Sequence, residues 1–232
     1  MGRTLLSWSG GKDAAVALQT LRDAGTPPDG LVTTFATGTG TVSHQGVERA
    51  LLERQAAAVG LPLLVVELPD PCPDDVYVAA LAEALADVDD LEAVHFGDLH
   101  LADVRTWRTE QLATIGLEAR FPLWGTDTAQ LARRLLADRW SVTVVTIDTT
   151  LLDASFCGRP YDAAFLADLP RGVDPAGEGG EFHTFVTSGP VLRHRAPVEV
   201  VGTWSDGDGR FERAQLRATS RPPAELAGRD AS

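Results

Sequence analysis

Within the first hundred residues, short apolar runs alternate with stretches of helical periodicity, and that alternation leaves few folds open. Residues 4–8, 30–36, 63–68 and 93–96 read as strands. Between them, 13–21, 46–59 and 74–86 carry apolar residues at helical spacing. Gly25-Thr26-Pro27-Pro28, Gly60 with Pro62, and Pro71-Cys72-Pro73 punctuate the pattern. Strands joined by helices must run parallel, which covers both faces of the sheet with helices. The expected class is therefore α/β, a Rossmann-like parallel sheet with helices on both faces. Ligands of such sheets collect at the carboxyl ends of the strands. Two glycine-bearing turns lie on that edge, Gly10-Gly11 after the first strand and Gly97-Asp98 after the fourth.

Beyond residue 100 the pattern loosens. Residues 102–115 and 128–137 read as helices on either side of Phe121-Pro122-Leu123-Trp124, and 142–147 as a strong strand. Loops rich in Gly, Pro and Asp follow, then short strands at 198–204 and 211–217. This shift predicts a smaller C-terminal α+β subdomain over 101–219, with 220–232 as a flexible tail.

Ser7-Trp8-Ser9-Gly10-Gly11-Lys12-Asp13 is the strongest local signal. A strand that feeds a Gly-Gly turn and then a helix presents backbone N–H groups and the positive end of the helix dipole to an anion. Ser9 adds a hydroxyl and Lys12 a charge. A Walker A loop is excluded, because Leu6 stands where its first glycine belongs and Asp13 where Ser or Thr must follow the lysine. A second constellation, residues 172–186, sets Glu178 and Glu181 among four glycines and adds His183 and Thr184. By itself it reads first as a flexible acidic loop, with a Glu/Glu/His metal site as the lesser alternative because no standard metal-ligand spacing is met.

The first loop resembles the S-G-G-x-D-S loop of the PP-loop ATP pyrophosphatases, departing from it at Ala14. The second segment resembles the G-x-D-x-x-G-E-x-G-E-[FY]-x-T-x-V stretch of the diphthine–ammonia ligase family of those enzymes. Gly172, Asp174, Gly177, Glu178, Gly180, Glu181, Phe182, Thr184 and Val186 stand at its fixed positions, and Ala176 replaces the usual cysteine. Gly97-Asp98, Arg108, Glu110, Gly116-Leu117, Pro122-Leu123-Trp124, Asp127 and the 152–158 stretch extend the likeness over about residues 3–190. The resemblance implies an adenine nucleotide alpha hydrolase-like ATP domain over 1–100 and a substrate-side subdomain after it. It also implies a reaction in which a carboxylate attacks ATP, releasing pyrophosphate, and ammonia then displaces AMP to leave an amide.

By the same resemblance Ser7, Ser9, Gly10, Gly11, Lys12, Asp13, His44, Gly97 and Asp98 bind ATP, with Asp13 and Asp98 toward Mg²⁺. Arg108, Glu178, Gly180, Glu181, His183 and Thr184 face the substrate. Lys12, Asp13, Glu178 and Glu181 are the catalytic candidates. The implied partners are ATP, ammonium and a carboxylate on a protein side chain or small metabolite, and a homodimer is compatible with this. No fused glutaminase domain is expected, since the ATP loop begins within ten residues of Met1.

Charge bears on the competing readings. Thirty-three acidic against twenty basic residues give a net charge of −13, which opposes binding to nucleic acid or anionic membrane. The two cysteines, Cys72 and Cys157, form no CxxC pair, which with the charge disfavours a tRNA thiolase. A nucleotide-binding sensor without chemistry is a third reading, favoured by Ala14 and opposed by Lys12-Asp13 and the acidic segment. With neither a signal-peptide pattern nor an apolar run of membrane-spanning length, the expected location is cytoplasmic. His95, inside a strand, and Cys157 are expected to be structural.

Overall fold

A computed structural model describes residues 2–42 and 45–219. His44 and the tail 220–232 lie outside the described residues.

The chain is α/β. In order, the first part comprises β1 (Arg3–Ser7), α1 (Lys12–Asp23), β2 (Gly30–Ala36), β3 (Thr41–Val42), α2 (Arg49–Val59) and β4 (Leu63–Leu68). It continues with α3 (Asp74–Ala86), β5 (Leu91–His95), α4 (Ala102–Thr114) and β6 (Glu118–Arg120). The pairs β1–β2, β1–β5, β2–β4 and β5–β6 are parallel, and only the two-residue β3 runs antiparallel, against the end of β2. The spatial order is thus β4-β2-β1-β5-β6. It reverses direction beside β1, which opens a crevice beyond the carboxyl ends of β1 and β5.

Strand alternation assigns the two faces. Leu6, Leu31 and Phe35 pack on one side with α1 and α2, while Leu5, Val32, Val66 and Val94 pack on the other with Leu81 and Leu85 of α3 and Leu112 of α4. Burying each such side chain contributes roughly 1.5–3 kcal/mol.

The second part comprises α5 (Thr128–Ala137), β7 (Ser141–Asp148), α6 (Ala163–Asp168), β8 (Phe182–Ser188), β9 (Val198–Ser205) and β10 (Phe211–Ala218). Its four strands form a separate antiparallel sheet in the order β8-β7-β10-β9. The core of this sheet is continuous with the α1 face of the first: Val144, Val145, Phe182, Phe185 and Val186 join Val16, Ala17 and Leu18 in one buried cluster. Helix α1 therefore lies between the two sheets, and Ala14 through Leu18 are all buried. No helix among the described residues is long and apolar enough to cross a membrane.

His95, the last residue of β5, is buried with Nδ1 unpartnered. Burial, reinforced by the nearby Arg120 charge and only partly opposed by Glu118, pushes its pKa down to about 4. The folded chain keeps this imidazole neutral where the unfolded chain, with a value of 6.5, takes up a proton. Stability is therefore unaffected above pH 6.5 and lost as pH falls from there toward 4, by at most about 1.4 kcal/mol per pH unit from this group. Urea midpoints at pH 7.5 and 5.0 check this: His95→Gln is expected to shrink the wild-type decline, and equal declines would contradict it.

Candidate functional site

The crevice beside β1 is a cleft of about 1020 Å³. The carboxyl ends of β1, β2 and β5 supply one wall, through Ser7, Thr33, Thr34 and the Phe96-Gly97-Asp98 turn. The β9–β10 hairpin supplies the far rim, through Trp204, Asp206 and Arg213. A smaller hollow of about 200 Å³ adjoins it, between Ser9, Gly11, Lys12 and Asp13 on one side and Gly177, Glu178, Gly180, His183 and Thr184 on the other. The two constellations read from the sequence thus face each other across one hollow.

The loop's shape follows from its glycines. Gly10 adopts φ +79°, a left-handed conformation that glycine enters without a side-chain clash. A Cβ there would sit 2.6 Å from Leu52 Cδ1 and 2.9 Å from Gln55 Oε1. Gly97 makes a close approach from the neighbouring strand end: a Cβ on it would lie 3.0 Å from the Asp13 carbonyl carbon and 3.1 Å from the Ala14 nitrogen. The absent side chain lets the end of β5 pack directly on the backbone of the first turn of α1. The N–H groups of Asp13 and Ala14 have no intrahelical acceptor in that first turn, and Asp13 lines both the hollow and the cleft. Ser9 Oγ accepts the N–H of Gly11 at 3.3 Å.

Lys12 is 2% exposed, yet its Nζ meets Asp13 at 2.9 and 3.0 Å and lies 5.6 Å from the centre of the Phe182 ring. A buried ammonium must be paired, and Asp13 pairs it. Glu178 sits across the hollow. Burial raises its pKa, and the Asp13 charge raises it further, against opposing contributions from Lys12, His100 and the backbone of Leu99. Its Oε2 is buried with no hydrogen-bond partner among the described residues. An unsatisfied buried carboxylate oxygen in a hollow is suited to an arriving cation or N–H donor.

Glu181 is placed differently. It does not line the hollow; its Oε1 accepts the N–H of Asp174 at 3.1 Å, and it is 8% exposed within its own loop. Thr184 lines the hollow, but its Oγ1 accepts the N–H of Lys12 at 3.1 Å, so the hydroxyl serves α1. His183 lines both the hollow and the cleft.

Asp98 and Arg108 form an ion pair at 3.1 Å inside the cleft, aligned as charges and not as a hydrogen bond. The guanidinium lies 4.4 Å from the Phe96 ring centre. Beside it Trp107 packs on Tyr77, with ring centres 5.6 Å apart, and both line the cleft. No group of three His, Cys, Asp or Glu able to hold a metal occurs among the described residues. Two carboxylates lie beside the loop, Asp13 with both oxygens on Lys12 Nζ and Asp98 with Oδ2 3.1 Å from Arg108 Nε.

Two contributors had little signal in the sequence. Gln55 is fully buried on α2 and bonds Trp8, Gly10 and Val186. Its place among Leu51, Leu52, Ala56 and Val59, on the apolar face of a helix, is the pattern that could have flagged it. Trp204, 47% exposed in the cleft rim, stands near Arg213, which is held by Asp206 at 2.9 and 3.1 Å. Cys157 is packed, and burial pushes its thiol up to about 12, so it is not a nucleophile.

The sequence matches two family models, described as the diphthamide synthase N-terminal domain over residues 2–119 and the diphthamide synthase C-terminal domain over residues 127–216. No match is found among curated proteins. Among solved structures, a predicted subunit of tRNA methyltransferase from Methanocaldococcus jannaschii is similar at 18% identity, with a TM-score of 0.43. The match covers 83% of this chain and 99% of that one. At that TM-score the likeness decides nothing about what this chain does.

Proposed function

Because the chain belongs to the diphthamide synthase family, the diphthine–ammonia ligases among the PP-loop ATP pyrophosphatases, we propose that it is an ATP-dependent amide ligase. In the proposed reaction an oxygen of the acceptor carboxylate attacks the α-phosphorus of ATP, and the bond to the bridging oxygen breaks, releasing pyrophosphate. Ammonia then adds to the acyl-adenylate carbonyl, and AMP leaves with the electron pair of the acyl C–O bond.

The observation that carries this reading is the hollow between the loop and segment 177–184, with a buried cation on one wall and an unsatisfied carboxylate on the other. The N–H groups at the start of α1 and the Lys12 ammonium hold the leaving pyrophosphate, where negative charge accumulates as the bond breaks. Asp13 and Asp98 would hold a nucleotide-borne Mg²⁺, exchanging their present partners Lys12 and Arg108 for it, and the ion would neutralise phosphate charge. Glu178, with its raised pKa, accepts the proton that ammonium must lose before it can attack. Ser7 and Thr33–Thr34 line the part of the cleft left for the nucleoside, and Arg108 and His183 border the acceptor side. Glu181 supports the loop that presents Glu178.

The test is direct. Purified protein with Mg·ATP, ammonium and candidate carboxylates is expected to release AMP and pyrophosphate in equal amounts, with amide formed. ADP and phosphate as products, or tight ATP binding with no turnover for any carboxylate, would refute the ligase assignment.

A further inference from the structure

The helix that carries the phosphate loop has no cap of its own. Gly11 occupies the N-cap position with extended backbone and offers no side chain to accept a bond. The hydroxyl of Thr184 on β8 takes that place, accepting the N–H of Lys12 at 3.1 Å. The approach is close: a Cβ on Gly11 would lie 3.2 Å from the carbonyl oxygen of Thr184. Two residues on, the N–H of Val186 donates to the Gly10 carbonyl at 2.9 Å. Gln55 closes the arrangement by donating to the carbonyls of Gly10 at 3.0 Å and Val186 at 2.6 Å, while its own oxygen accepts the Trp8 indole N–H at 2.8 Å. Strand β8 thus meets the loop twice, through the Thr184 side chain and the Val186 backbone N–H. The same strand begins at Phe182, directly after the segment that presents Glu178.

We infer that Thr184 and Gln55 are positioning residues. They hold the phosphate loop from behind, so its anion-binding shape depends on where β8, and with it segment 177–183, is seated. A change at the acceptor wall can then reach the loop through a single strand. The inference rests on the reading above only in taking ATP phosphates as the loop's ligand.

Thr184→Val keeps the shape of the side chain and deletes the acceptor. In the intact 232-residue chain it is expected to weaken ATP binding about five- to tenfold, the range of one lost hydrogen bond. It is also expected to speed amide hydrogen exchange at the N-terminus of α1 in the nucleotide-free chain. Thr184→Ser retains the oxygen and is expected to behave as wild type in both measurements. A role confined to packing predicts the reverse order, with valine tolerated and serine harmful. Gln55→Met, which removes three bonds, is expected to weaken ATP binding at least as much as Thr184→Val, and the double variant to fall short of the product of the two effects because both act on one loop. Wild-type ATP affinity and exchange in Thr184→Val, or damage only in the serine variant, would overturn the inference. Failure of the wild-type protein to bind ATP would sink the proposed function, while the exchange comparison still decides this one.

Discussion

Replacing Lys12 by methionine is expected to lower kcat/KM for ATP by about 100-fold or more, in line with the loss of a positioned charge at a developing oxyanion. The side chain is 2% exposed, and its ammonium is the cation that the hollow presents between Asp13 and Glu178. Methionine is close to it in length and apolar, so the stem retains its packing along Phe182. What disappears is the charge that balances two carboxylates. Glu178, already raised by burial and by Asp13, then loses the Lys12 contribution that lowers it and holds its proton to higher pH. The acidic limb of the pH–rate profile should accordingly move upward in the residual activity. Steady-state pyrophosphate release across pH checks both effects, and a variant with wild-type kcat/KM would remove Lys12 from the site.

The second large effect is on folding. Gly10→Ala places a side chain at φ +79°, which costs an L-residue about 1–2 kcal/mol. It also drives a methyl to 2.6 Å from Leu52 Cδ1 and 3.1 Å from Phe185 Cδ2, both fully buried, for an overpacking cost of about 1–3 kcal/mol. The same methyl lies 2.9 Å from the Gln55 oxygen that holds Trp8. A total of roughly 2–5 kcal/mol is a large share of the stability of an ordinary domain. For a chain of this length it corresponds to a fall in Tm of about 4–20 °C. Thermal unfolding of the two proteins checks it, and a shift under about 2 °C would mean that the loop relaxes into another conformation.

Much of the parallel sheet was legible because its strands are continuous apolar runs ended by Gly, Pro or Asp. Strands β2 and β4 and helices α3 and α5 occupy the residues that periodicity assigns them. Helix α2 begins at Arg49 instead of Gly46, since Gly46 adopts φ +64°. The three residues of β6 are Glu-Ala-Arg, with no apolar pattern, and form a strand through pairing with β5. Strand β8 was hidden for another reason. Phe182, Thr184, Phe185 and Val186 are all buried, so the run lacks the alternation of a one-sided strand and its glycine-rich approach suggests a loop. In the site, residues 9–13 were legible because a phosphate loop is a local pattern. Thr184 was legible as part of a motif, but its bond to Lys12 spans 172 residues and leaves no mark in either neighbourhood. Gln55 has three partners, each far along the chain, and spacing alone cannot name them.

The placement of α1 between two sheets bears on modularity. The chain is matched by two separate family models, one ending at residue 119 and the other starting at 127, which invites treating its halves as interchangeable parts. Yet Val16, Ala17 and Leu18 share one buried cluster with Val144, Phe182 and Phe185. Splitting the chain near 120–126 would bare that apolar surface on both fragments and strip the phosphate loop of its backing. The two halves are therefore expected to fold only together.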